Sequence, residues 1–271
     1  MAVRPQVVAH RGSSAAEPEH TLAAYRHALD VGADALECDV RLTADGHLVC
    51  VHDRSVDRTS SGSGRVSALE LTQLEGLDWG SWKRLVARAG EQQEEPDRVD
   101  AGDRSHLLTL RRLLGLIGDH AAAGRPVQVA IETKHPTRYG GLVERAVVEL
   151  LDGLGWSGRD GTTSPVRAMS FSVLAVRRMR RLAPDLPLVL LMERVPVTAR
   201  DGTLPRGVHA AGISVEILRA DPGYVRRVHA RGHQVHVWTV DEPEDVERCL
   251  EAGVDAVITN RPAEVLQQVG R

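Results

Sequence analysis

The chain has 271 residues, an apolar fraction of 42%, and 34 Lys plus Arg against 37 Asp plus Glu, for a net charge of −3. That length suits one α/β barrel or two small domains, and so balanced a charge gives no global field for nucleic acid or a membrane surface. Cys38, Cys50 and Cys249 lack paired spacing and read as buried thiols in a reducing compartment, not as a disulfide framework.

At the N-terminus, "MAVRPQVVAHRG" has no apolar stretch long enough for the centre of a signal peptide. No later run could span a bilayer. The expectation is a cytoplasmic protein without stable membrane association. The first strand is "VVAH" (7–10), followed by a helix over Thr21–Val31 and a second strand, "ALECDV" (35–40). The next apolar run, "HLVCVHD" (47–53), follows after only "RLTADG". A parallel neighbour needs a crossover of a dozen or more residues, so this is an antiparallel return turning at Asp45-Gly46. That register sets Asp39 opposite His52 and Arg41 opposite Cys50, and places Glu37, Asp39 and His52 on one face. Residues 54–106 then break the periodicity with "SSGSG" and "EQQEEPDRVDAGDRS". They read as a small cap insertion over the barrel mouth, its second half mobile, within a single domain spanning 1–271.

Alternation resumes with a helix over Leu108–Ala122 and the strand "VQVAIE" (127–132). Further strands are "VRAMSF" (166–171), "LVLLM" (188–192), "GISVE" (212–216), "VHVWTV" (235–240) and "AVIT" (256–259). Helix-periodic segments separate or follow them at Leu142–Leu154, Leu174–Leu182, Pro222–Arg231, Glu244–Ala252 and Ala263–Val269. Gly32, Gly124, Gly232 and Gly253 stand where helices should stop. Arg177, Arg178, Arg180 and Arg181 form a solvated helix face, with no basic-aromatic pattern for nucleic acid beside them. Eight parallel strands suggest an α/β fold, a closed (β/α)8 TIM barrel with an antiparallel hairpin excursion and a small insertion after strand 2. A doubly wound sheet lacks its usual Gly-x-Gly-x-x-Gly after an early strand.

Polar residues gather at the C-terminal strand ends, where barrel enzymes keep their sites. They are His10 and Arg11, then Glu37 and Asp39 with His52, then Glu132 and Lys134, and later Phe171, Glu216, Trp238 and Asn260. Any one of the three carboxylates alone would read as an ion pair, with Arg41, Lys134 or Arg11. All three on adjacent inward faces point to a cation, and hard oxygen donors suit Mg²⁺ or Ca²⁺. Mn²⁺ and Zn²⁺ suit the set less, zinc because the cluster is carboxylate-heavy and no Cys is placed to help. His10 and His52 suit paired acid and base work. His106, His135, His209, His229, His233 and His236 read as core or surface residues. Arg11 and Lys134 suit an anionic small-molecule substrate, and Trp238 a substrate wall.

Taken in order, "HRG", "PEHT", "ECDVRLTADGHLVCVHD", "ETK", "SF", "VWTV" and "TNRP" resemble the glycerophosphodiester phosphodiesterase family across essentially the whole chain. The resemblance implies metal-dependent hydrolysis of a glycerophosphodiester to sn-glycerol 3-phosphate and an alcohol, through a cyclic phosphate. By it, His10 and His52 are the acid/base pair, Arg11 binds phosphate, Lys134 steadies the phosphoryl oxygens, and Glu37, Asp39 and Glu132 hold one divalent cation. Two readings stand beside it: a lysophospholipase D-like enzyme acting on a lipid diester, and a non-enzymatic binding descendant. Two positions depart from the family's usual "PEN" and "WTVN". His20 is a poorer helix cap than Asn, with Thr21 able to cap one position later. Asp241 is expected to cap the helix that follows and to add negative charge near the mouth, favouring a cationic head group such as choline.

Overall fold

The structure, a computed structural model, describes residues 4–83, 101–137, 140–158 and 164–271. Strand β1 (Gln6–His10) is followed by helix α1 (Leu22–Asp30), β2 (Ala35–Leu42) and the short β3 (Leu48–Cys50). Helices α2 (Leu71–Glu75) and α3 (Ala101–Ser105) lie in the insertion. The alternation continues with α4 (Leu110–Ala122), β4 (Gln128–Thr133), α5 (Leu142–Gly153), β5 (Val166–Ser170), α6 (Val173–Leu182) and β6 (Leu188–Met192). It ends with β7 (Ala210–Ser214), α7 (Val215–Ala220), α8 (Gly223–Ala230), β8 (Gln234–Trp238), α9 (Pro243–Ala252), β9 (Ala256–Thr259) and α10 (Pro262–Gln268).

The sheet order β1-β9-β8-β7-β6-β5-β4-β2 closes through a parallel β1–β2 pairing, and β3 hangs antiparallel on β2. The barrel strands are apolar on both faces because both are covered. Val8, Ala35, Ala130, Met169, Val189, Leu191, Ala210, Ala256 and Ile258 fill the barrel's inside. Val7, Leu36, Ile131, Ile213 and Val237 face the helices. Thr21, Thr109 and Ser172 cap α1, α4 and α6 by accepting backbone N–H groups, and Gly253 closes α9 at φ +69°. Cys38, Cys50 and Cys249 are buried and free. Among the described residues, no helix is long and apolar enough to cross a membrane.

Several expectations change. The hairpin register is one residue away from that read in the sequence: Val40 faces Cys50 and Arg41 faces Val49, so Asp39 does not pair with His52. The reason is the turn. Thr43 N–H donates to His47 O (3.0 Å), enclosing three residues where a two-residue Asp45-Gly46 turn was expected. The "GISVE" strand also begins earlier, at Ala210, and ends at Ser214, so Glu216 sits on α7 and pairs with Arg219 on the surface (2.7 Å). Glu216 is therefore not a strand-end residue. In the insertion, Val51, Val56, Val66, Leu74, Trp79 and Leu107 build a small apolar cluster beside β3. The expected mobile half falls largely on residues 84–100, outside the described residues. Its last part forms α3, whose buried Asp103 bridges Arg26 and Arg112.

Candidate active site

A cleft of about 1,050 Å³ opens at the C-terminal strand ends, and its wall includes His10, Arg11, Glu37, His52, Glu132, Lys134 and Trp238. The structure thus brings together seven of the eight residues given a metal, catalytic or substrate-binding role in the sequence. The eighth, Asp39, lies buried just beneath them, in ion pairs with Arg11 and Lys134.

Register explains the carboxylate cluster. Glu37 pairs with Ala130, and Asp39 with Glu132 on the neighbouring strand; residues two apart on one strand share a face. One oxygen of each of Glu37, Asp39 and Glu132 lies within 4.8 Å of the others. All three are buried. Lys134 Nζ reaches Asp39 (3.0 Å) and Glu132 (2.8 Å), and Arg11 Nε lies 3.1 Å from Asp39. These two cations do not balance the cluster. Burial, then repulsion from Asp39, pushes Glu132 up to about 8, and burial raises Glu37 well above the usual carboxylate range. Asp39 is held well below that range despite burial, by Lys134, the His20 hydrogen bond and Arg11. A buried all-oxygen donor set still short of positive charge fits a hard divalent cation.

Each histidine is oriented through Nδ1. Asp241 Oδ2 accepts from the Asn260 side-chain nitrogen (2.5 Å), so Asn260 turns its oxygen toward His10 Nδ1 (2.7 Å). An amide oxygen can only accept, so the imidazole proton sits on Nδ1 and the Nε2 lone pair is free. Burial, then Arg11, lowers His10 to about 3. His52 Nδ1 meets Asp53 Oδ1 (2.7 Å), and Arg58 anchors the other oxygen of Asp53 (2.7 Å). Burial lowers His52 too, while Asp39 and Asp53 oppose the shift. Because His52 lies beyond β3, its placement depends on Arg41, whose Nε and one terminal nitrogen donate to the His52 carbonyl (3.0 and 2.6 Å).

Arg11 holds a left-handed backbone conformation (φ +58°), and its N–H donates to Glu37 Oε2 (3.0 Å). Its guanidinium also bonds Glu19 (3.0 Å), which Arg58 grips with two nitrogens. Trp238 Nε1 donates to Gly212 O (3.0 Å), and its ring meets Phe171 edge-on at 5.3 Å. With Met169, Leu190, Leu191 and Met192, these rings give the cleft an apolar patch, beside which Glu193 and Arg194 also line it.

Sequence reasoning missed the supporting residues Glu19, Asp53 and Arg58, and it gave Arg41 and Asp241 other roles. The two departures also take other roles than expected. Thr21 does cap α1, but His20 is buried with Nε2 at 2.9 Å from Asp39 Oδ2 and Nδ1 at 2.9 Å from the Tyr25 hydroxyl. It braces the carboxylate cluster itself. Asp241 does not cap α9, whose N-cap is Glu242. Its carboxylate accepts from Thr259 Oγ1 (2.9 Å) and from the backbone and side chain of Asn260 (2.8 and 2.5 Å), so it orients Asn260 beside the cleft.

Comparison with known proteins agrees with this picture. Residues 10–264 match the model of the glycerophosphoryl diester phosphodiesterase family. The chain is 47% identical over 263 residues to a Mycobacterium tuberculosis protein named "Probable glycerophosphodiester phosphodiesterase 1", covering 97% of this chain and 91% of that one. It is 32% identical over 257 residues to the glycerophosphodiester phosphodiesterase of Bacillus subtilis, covering 94% and 83%. Among solved structures, an Oleispira antarctica phosphodiesterase in complex with the product sn-glycerol-3-phosphate superposes with a TM-score of 0.82 at 25% identity, covering 99% and 98%.

Proposed function

Because the chain belongs to the glycerophosphoryl diester phosphodiesterase family and is an enzyme of that activity, we propose that His10 and His52 carry its chemistry over a cation held by Glu37, Asp39 and Glu132. The observation that carries the reading is the convergence of both histidines, Arg11, Lys134 and the carboxylates on one cleft. The substrate is a small glycerophosphodiester that yields sn-glycerol 3-phosphate and an alcohol.

His10, neutral and with Nε2 free, takes the proton from the glycerol hydroxyl next to the ester as that oxygen attacks phosphorus. His52, whose Nδ1 meets a carboxylate, is the better holder of a second proton and delivers it to the leaving alcohol. Water then opens the cyclic phosphate with the two roles reversed. The attack is intramolecular, so its entropic barrier is already lowered by the substrate. Lys134 and Arg11 offset charge on the phosphoryl oxygens. A bound Mg²⁺ or Ca²⁺ would add Lewis-acid stabilisation of that same charge.

The histidine assignment is tested with two glycerophosphodiesters, one releasing choline and one releasing p-nitrophenol. A good leaving group needs no acid, so His52→Ala should retain far more activity on the nitrophenyl ester than on the choline ester. His10→Ala should lose both alike. The opposite pattern would reverse the roles.

A lipid diester remains a second reading because the apolar patch of the cleft continues outward. Val173 lines the cleft, and Val173, Leu174 and Val197 are 37%, 60% and 74% exposed. Turnover of lysophosphatidylcholine above that of glycerophosphocholine would favour it.

A further inference from the structure

At the opposite, N-terminal end of the strands, the barrel is not closed by apolar side chains. Barrel interiors are ordinarily filled by bulky apolar layers. Here the residues two positions before the interior Val8, Ala130, Met169 and Trp238 are Gln6, Gln128, Arg167 and His236. They line a cavity of about 380 Å³.

Its wall is rich in donors and poor in free acceptors. One terminal nitrogen of Arg167 donates to Gln6 Oε1, while Nε is shielded from solvent and without a partner. No carboxylate pairs with Arg167 among the described residues. The Gln6 amide nitrogen donates to Gln128 Oε1 (3.0 Å), which leaves the Gln128 nitrogen as a donor without a partner among the described residues. His209 Nδ1 accepts from Leu188 N–H (3.0 Å), so its proton is on Nε2. His236 is 2% exposed, and its Nδ1 has no partner. Asp255 is the one acid on the wall among the described residues, and its Oδ2 already meets Val235 N–H (2.7 Å) and His229 Nε2 (2.8 Å).

Arg167 is half-buried with no counter-charge beside it among the described residues, and a forked donor suits a tetrahedral oxyanion. We propose that this floor binds a small oxyanion of the phosphate or sulfate class, gripped by Arg167 and met by N–H groups of His236, His209 and Gln128. Burial leaves Arg167 at about 10, still a cation at neutral pH, while burial and Arg167 keep His236 neutral. The site is independent of the catalytic reading and stands or falls by binding.

The test follows the melting temperature of the full-length protein titrated with inorganic phosphate at constant ionic strength set with chloride. Lys134→Gln weakens any phosphate in the catalytic cleft, so the saturable rise that persists in it reports the floor. Arg167→Gln should weaken that component at least about tenfold. An unchanged response in Arg167→Gln, or no saturable rise above chloride in Lys134→Gln, would overturn the proposal. Should Arg167→Gln fail to fold, selenate soaked into wild-type crystals decides. An anomalous peak between Arg167 and His236 supports the site, and a peak at the catalytic cleft alone refutes it.

Discussion

Asp241→Asn replaces a group that only accepts hydrogen bonds with one that also donates. The new amide oxygen can take over the bonds from Thr259 Oγ1 and the Asn260 backbone, but its NH₂ then points at the Asn260 NH₂, now 2.5 Å from Asp241 Oδ2. Asn260 relieves the clash by turning over, which aims its NH₂ at His10 Nδ1, now 2.7 Å from its oxygen. The imidazole proton must then move to Nε2, and the nitrogen facing the cleft is no longer a base. A hydrogen bond to a charged group contributes about 1.5–3 kcal/mol, and loss of the lower end, fitting for the half-exposed Asp241, slows the reaction about tenfold. The expected result is a lower kcat on glycerophosphocholine at nearly unchanged KM. ¹⁵N shifts should report His10 protonated at Nδ1 in the wild type and at Nε2 in the variant. A kcat close to wild type with the proton still on Nδ1 would refute the relay.

Three further outcomes are expected. Calorimetric titration of the metal-stripped protein with Mg²⁺ at pH 7 should release protons, because Glu132 stands at about 8 and a ligand must be ionised; no dependence on buffer ionisation enthalpy would contradict it. His10 is held at about 3, by burial and then Arg11, against an ordinary 6.5. Its contribution is present above pH 6.5 and is lost as pH falls toward 3, because the unfolded chain binds a proton that the native site refuses. Urea midpoints of metal-free His10→Asn should therefore fall less than wild type between pH 6.5 and 4, and parallel curves would count against the shift. Gly12→Ala puts a Cβ 2.6 Å from the Ala24 carbonyl carbon at φ +81°, an overpacking cost of about 3 kcal/mol that lowers Tm by about 6–12 °C; a melting scan showing less than a couple of degrees would mean that α1 simply moves away.

The barrel was legible because most strand residues are buried on both faces and so write short, mainly apolar runs into the sequence. The carboxylate cluster was legible because two-residue spacing in a strand means one face. Register at the hairpin was not, since "TADGH" admits a two- or three-residue turn and one residue shifts every pairing. The sequence "SVEIL" alternates like a strand, yet after Ser214 the chain turns into α7, and that hid the true position of Glu216. Asp241 stands where a cap would, but the competing donors of Thr259 and Asn260 come from 18 and 19 residues away, beyond local reading. His20 looked like a weak cap for the same reason, since its partner Asp39 is brought to it by the parallel pairing of β1 and β2.

The two histidines belong to mechanically different parts of the molecule. His10 ends a strand bonded on both sides within a closed ring and cannot shift without opening it. His52 follows a three-residue strand that pairs with β2 on one side and is held on the other by a single bridge, Val49 to Thr109, and Arg41 clasps its carbonyl. On the proposed roles, the gap between acid and base is set more firmly from the barrel side. On that reading, changes around β3 retune turnover more readily than changes in the barrel strands.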